Sequence, residues 1–278
     1  VAATLPPIYR QGISLNVIFQ EDLWSSRAVN FAEAGELAQP GLGGPLDTQY
    51  IGVGVNGPLY QEYELYQSFF FFYNTGRMLS LLPNEDPNLD SQYDYRPVRG
   101  FLVGTSVRHY MPLFYQSNVA VRLLFSSGDS DFSSYYEGNT SENAQQFIPV
   151  TASGFGAVFS PKLGNVGVTE VQYSMKPLIG SGSWALSSLQ TVVKGMLFFR
   201  PTTGPVSEAG IVAGEGGNLL GAELDLTANM TPFTDLGLST TVGVFVPFSV
   251  ENNGAFSESY LRDRSVHTSF SIQASLGF

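Results

Sequence analysis

A chain of 278 residues can hold one large domain or two small ones. Only 13% of its residues are charged, about half the share usual for a soluble domain. The absence of cysteine excludes thiolate metal or redox sites and a disulfide scaffold, and a net charge of −11 argues against a nucleic-acid partner.

No apolar run approaches the roughly 20 residues of a spanning helix. The longest is "FFFFY", Phe69 to Tyr73. The first residues, "VAATLPPIYRQG", read as a mature lead-in containing proline. No basic n-region precedes an apolar h-region, so a signal peptide was either removed or never there.

From there the signal is alternation, which places successive side chains on opposite faces of a strand. Ile13, Leu15, Val17 and Phe19 interleave with Ser14, Asn16 and Gln20. Ile51, Val53 and Val55 alternate with Gly52, Gly54 and Asn56. Tyr63, Leu65, Phe69, Phe71 and Tyr73 oppose Glu62, Glu64, Ser68 and Asn74. Val103 and Val107 oppose Gly104, Ser106 and Arg108; Val119, Val121, Leu123 and Phe125 oppose Arg122 and Ser126. Val171, Tyr173 and Met175 oppose Glu170, Gln172, Ser174 and Lys176; Leu189, Val193, Leu197 and Phe199 oppose Gln190 and Lys194. Leu220, Ala222, Leu224, Leu226 and Ala228 alternate with Gly221, Glu223, Asp225, Thr227 and Asn229. Leu236, Leu238, Val242 and Val244 oppose Ser239, Thr241 and Gly243. Last, Val266, Phe270, Ile272, Leu276 and Phe278 oppose His267, Ser269, Ser271, Gln273 and Ser275.

This predicts about ten strands, many longer than the roughly 5–6 residues typical of soluble sheets. Short turns at 56–60, 110–116, 176–183 and 231–235 alternate with long polar segments at 21–48, 75–97, 127–164, 201–217 and 248–264. Outer-membrane barrels have this asymmetry of short periplasmic turns and long external loops. The fold expected is therefore all-β: a transmembrane antiparallel up-and-down β-barrel forming one domain over 1–278. An even count places both termini on the short-turn side. Strands within 21–48 would raise the count to twelve, and a wall shared with further strands is the other alternative. "TASGFGAVFS", 151–160, is assigned to a long external loop. Phe19, Tyr60, Tyr73, Tyr110, Phe114, Phe199, Phe233 and Phe278 fit interfacial girdles.

The last part of the chain resembles a known family. "LLGAELDLTANMTPFTDLGLSTTVGVFVPFS", 219–249, is similar to the end of alginate-export-type outer-membrane porins, through Gly221, Glu223 and Asp225, then Gly243, Phe245 and Pro247. "LFSSGDSDF" and "FIPVTASGFGAVFSPKLGNVGV", within 124–168, resemble the family's long loop, and "LQTVVKGMLFFRPTTGP", 189–205, resembles spirochaetal relatives. The resemblance implies a bacterial outer-membrane location. It also implies contact with membrane lipid and lipopolysaccharide or its equivalent, and a terminal Phe278 read by barrel-assembly machinery. The family's barrels are larger, so its wide polysaccharide pore does not carry over.

The expected function is passive passage of small hydrophilic solutes. The residues expected to line the lumen and set selectivity are Glu62, Glu64, Arg108, Arg122, Glu170, Lys176, Lys194, Glu223, Asp225 and His267. Opposed charges could form a solute path. They could equally be an ion-pair network filling a narrow interior, the reading a ten-strand barrel favours. A non-conducting structural or adhesive barrel with acidic external loops is the alternative. A rim hydrolase using His267 and Asp263 is a third reading, weaker because a His near an Asp in sequence does not make a dyad. Asp129 and Asp131 form a D-x-D pair, read as part of a solvated acidic loop because a calcium site needs six or more oxygens. No enzyme activity, cofactor or metal is expected, and homo- or hetero-oligomeric assembly stays open.

Overall fold

The computed structural model describes residues 2–8, 10–20, 46–60, 62–82, 92–132, 139, 143–150, 154–262 and 264–276. It is all-β. Among the described residues eleven strands form one sheet in sequence order: β1 (Ala2–Ile8), β2 (Gln11–Gln20), β3 (Leu46–Tyr60), β4 (Leu65–Leu82), β5 (Gln92–Met111), β6 (Ser117–Ser126), β7 (Gly167–Met175), β8 (Gln190–Phe199), β9 (Leu219–Phe233), β10 (Leu236–Pro247) and β11 (His267–Leu276). Every neighbouring pair is antiparallel. The remaining regular elements among the described residues are two single turns of helix, α1 (Trp184–Ser187) and α2 (Glu258–Leu261), and a 3₁₀ turn, Val250–Asn252. No described helix is long and apolar enough to cross a membrane.

The ten strands read from alternation are β2 to β11. The eleventh, β1, comes from the stretch read as a lead-in, where Pro6 and Pro7 disguise it. Proline is tolerated on an edge strand because its missing N–H can face away from the neighbour. With β1 present, Ala2 starts at the long-connection end and Leu276 finishes at the short-turn end, so the first and last described strand ends do not share a side.

The predicted loop 75–97 is also mostly strand. Pairing between β4 and β5 runs unbroken from Leu65↔His109 to Leu82↔Gln92. Its polar residues bond along the ribbon: Arg77 Nη2 lies 3.0 Å from Asp47 Oδ2, and the Arg77 guanidinium sits 5.0 Å from the Tyr95 ring centroid. Polar sequence did not mark the end of the strand: Met78, Leu79 and Ser80 are buried there, and Met78 packs with Val98, Phe132 and Ala144.

On each of β2 to β11 one row carries exposed apolar side chains. Leu224 is 58% exposed, Phe270 66% and Ile272 65%, with Val53, Phe71, Val121, Val171, Val193 and Val244 also exposed. Across β4, β5, β6 and β8 this face carries an aromatic ladder, in which the Phe101 ring centroid is 6.3 Å from Phe71 and 5.9 Å from Phe125. Gly167 on β7 leaves room for Phe199 to reach Phe125 at 6.4 Å. At the short-turn end Tyr60, Tyr63, Tyr110, Phe114 and Phe233 are exposed.

The opposite face carries the core. Tyr50, Leu102, Leu124, Val168, Met196, Phe198, Leu220 and Phe245 come from β3 and β5 to β10, and they pack against Phe147, Phe155 and Phe159 of the connection between β6 and β7. The segment assigned to an external loop thus packs against the sheet through Phe155 and Phe159. β4 adds Phe70 and Phe72, so this face is not uniformly polar; Gly104 and Gly52 opposite them leave space for the rings.

Candidate functional site: a plug clasped by strand carboxylates

Directly opposed residues in adjacent strands share a face. One inner row runs Ser106↔Arg122↔Glu170↔Met196↔Glu223↔Phe245↔His267. The next runs Arg108↔Ala120↔Gln172↔Lys194↔Asp225↔Gly243↔Ser269. Seven of the charged or titratable residues singled out by sequence therefore fall on two adjacent rows of one face.

Register alone creates the ion pairs. Arg122 Nη2 donates to Glu170 Oε2 directly across β6 and β7. Lys194 Nζ lies 3.3 Å from Asp225 Oδ2 across β8 and β9. Glu170, Glu223 and Asp225 are nearly inaccessible to solvent. A buried carboxylate without partners costs several kcal/mol, so each needs donors.

Glu223 has no basic side chain within ion-pair distance among the described residues, and its donors come from the plug, residues 155–159, "FGAVF". Val158 N donates to Glu223 Oε1 at 2.8 Å and Phe159 N to Oε2 at 2.8 Å. Ala157 N donates to Asp225 Oδ2 at 3.2 Å. Three successive backbone amides thus converge on two carboxylates. Such charge-assisted bonds are roughly twice as strong as neutral ones. Lys194 Nζ donates to the Phe155 carbonyl, and the Arg122 guanidinium sits 5.9 Å from the Phe155 ring.

Glycine makes the approach possible. A Cβ at Gly243 would come within 2.8 Å of Ala157 Cβ, and one at Gly156 would strike the Glu223 carboxylate. The plug's aromatics finish the fit. Phe159 stacks on Phe245 at 4.4 Å and meets Phe198 edge-on at 4.9 Å. His267 belongs to this end of the face, its ring 6.0 Å from Tyr260 and 6.1 Å from Phe245. Its Nε2 and Asp225 Oδ1 are buried without a hydrogen-bond partner among the described residues.

The remaining predicted residues are elsewhere. Glu62 and Glu64 sit in the short turn between β3 and β4, not on the wall; Glu64 has φ 49° and its carbonyl accepts from Tyr110 N at 3.1 Å. Arg108 is on the inner row but exposed near the short-turn end. Lys176, just after β7, lines a 630 Å³ concavity at that end, with Trp184, Gln190, Asn229, Ser239 and Gln273. Phe278 and Asp263 lie outside the described residues.

The cap over the plug was not legible. Asp129, expected in solvent, is buried; it accepts from Asn139 Nδ2 at 2.7 Å, Gln145 N at 2.8 Å and Asp131 N at 2.9 Å. Asn165, at φ 57°, donates to the carbonyls of Thr202, Gly204 and Pro205 and so ties 127–166 to the connection after β8. Arg200 is fully buried and donates to the carbonyls of Thr203, Gly204, Val212, Glu215 and Gly217. Burial lowers its pKa from the usual arginine value, and burial likewise raises that of Glu208 in the same connection.

No family model matches the chain, and no curated protein does.

Proposed function

We propose that the chain builds the wall of a bacterial outer-membrane β-barrel, and that residues 155–159 are a plug keeping its interior closed to small hydrophilic solutes. One observation carries this reading: the sheet turns large apolar side chains out on nearly every strand while three carboxylates are buried on the other face. Soluble monomers rarely expose contiguous apolar patches beyond a few hundred Å². A sheet with lipid on one side and an interior on the other has this polarity. Strand length, the aromatic residues at both ends of the outward face and the short-turn, long-connection alternation agree with it.

Within that reading the inner charges hold the plug and do not line an open path. Passage needs the plug to leave Glu223 and Asp225. The resemblance to alginate-export-type porins fits a solute channel of this narrower kind. On the same reading the chain contacts membrane lipid and lipopolysaccharide or its equivalent, and Phe278 serves as the assembly signal. The compact cap formed around Asn165 and Arg200 favours a second reading, a non-conducting barrel that displays its connections to partners.

Planar bilayers separate them. A plugged channel gives rare brief openings, and Glu223→Gln with Asp225→Asn raises the open fraction by about tenfold or more, the factor expected from losing roughly 1.4 kcal/mol of clasp. Steady conductance in the unaltered chain contradicts the plug. Silence of both forms favours the display barrel.

A further inference from the structure

We propose that the concavity at the short-turn end of the inner face binds a small phosphorylated sugar. The site follows from strand register and does not depend on the membrane reading above. Gln190, Asn229, Ser239 and Gln273 stand directly opposite one another on four successive strands, β8 to β11. Opposed residues share a face, at steps of about 4.8 Å from strand to strand. Three carboxamides and a hydroxyl thus form one row on the wall of the 630 Å³ concavity, a size ordinary for small-molecule sites. The adjacent inner row satisfies itself, the Thr227 and Thr241 hydroxyls bonding to each other at 3.0 Å. The concavity row does not. Among the described residues neither these four side chains nor that of Lys176 has a hydrogen-bond or ion-pair partner.

The chemistry of the lining selects the ligand. Carboxamides and hydroxyls both donate and accept, as the hydroxyls of a sugar do. Trp184 of α1 also lines the concavity and is 64% exposed. Its turn is tied to the end of β9, where Ser188 Oγ accepts from Thr231 N at 2.9 Å. An indole held there offers an apolar face to the C–H side of a sugar ring and an N–H to its hydroxyls. Among the described residues of the lining, Lys176 alone is charged. With no acid beside it, it attracts an anion and repels an amine. A lone ammonium is a compact point charge without the planar fork that suits a carboxylate, and it serves a phosphate well.

The chain has two tryptophans, so Trp24→Phe leaves Trp184 as the single indole reporter. Glucose 6-phosphate is titrated into this full chain in detergent micelles, with indole emission as the readout and far-UV circular dichroism checking the fold. A saturable change is expected, at an affinity about tenfold or more above that of glucose, the factor expected of one charge-assisted hydrogen bond. Lys176→Gln should remove that preference. Gln273→Ala, at an exposed position, should weaken both sugars and keep the preference. No change in Trp184 emission, equal affinity for glucose, or a preference that survives Lys176→Gln overturns the proposal. So does inorganic phosphate or gluconate binding as tightly as the sugar phosphate. The plug is tested by conductance, so its failure leaves this site standing, and an empty concavity leaves the plug standing.

Discussion

The inner face has two halves, and they solve the problem of polar residues in different ways. At the long-connection half, Glu223, Asp225, Glu170, Arg122 and Lys194 are matched by one another and by the plug's amides. At the short-turn half, Gln190, Asn229, Ser239 and Gln273 line an open concavity with Lys176. Charges are concentrated where backbone and counter-charges satisfy them, and neutral amides and hydroxyls where water can enter. The charged rows thus hold the 155–159 segment, and the solvent-reachable part of this face is mostly uncharged.

The long-connection half should be most sensitive at Arg200. Arg200→Met leaves five carbonyls without their donor and should cost about 3–5 kcal/mol, the scale of breaking a buried charge network. Urea titration with limited proteolysis would show cleavage within 200–218 before the strands are lost; an intact cap would contradict the role given to Arg200. Next in size, Leu224→Arg on the outward row should cost roughly 2–4 kcal/mol in a bilayer and almost nothing if that face meets water. Glu223→Gln keeps the shape but offers one acceptor oxygen to the two amides of Val158 and Phe159, so one bond is replaced by a donor–donor contact and the other loses its charge, a weakening of about 1–3 kcal/mol. Hydrogen exchange should speed up at Val158 and Phe159 and not at the short-turn half. Arg77→Ala, removing an exposed pair with Asp47, should change stability by roughly 0–1 kcal/mol.

The smallest effect concerns acid. Burial raises the Glu208 pKa above its unfolded value, so the folded cap holds that proton more tightly. Its contribution is fully present below the unfolded pKa and is lost as pH rises through the folded one. Mild acidification should therefore firm the 200–218 connection slightly, and Glu208→Gln should remove that dependence, as read by proteolysis across the pH range.

Alternation made the strands and their faces legible because strand geometry has a period of two. Leu224 and Glu223 could be assigned to opposite faces from sequence alone. Cross-strand register could not, since it depends on turn and bulge geometry. The pairing of Arg122 with Glu170 and of Lys194 with Asp225 was therefore hidden, although all four residues stood out. The plug was hidden for another reason. "FGAVF" sits in a long polar connection, and nothing local says that its amides meet carboxylates some 65 positions away. The signal available was an apolar, glycine-containing pentad in the middle of a loop otherwise rich in Ser, Asn and Asp. β1 and the distal parts of β4 and β5 were missed because proline and charge suggested coil, whereas edge position and cross-strand ion pairs accommodate both.

The most direct test of the central claim uses nitroxide labels on single cysteines at Leu224, Val244 and Ile272, set against Ser239, in the chain reconstituted into liposomes. The first three should collide with dissolved oxygen far more than with a water-soluble nickel chelate, and Ser239 should show the reverse. Equal access of the nickel chelate to Leu224, Val244 and Ile272 would contradict that claim.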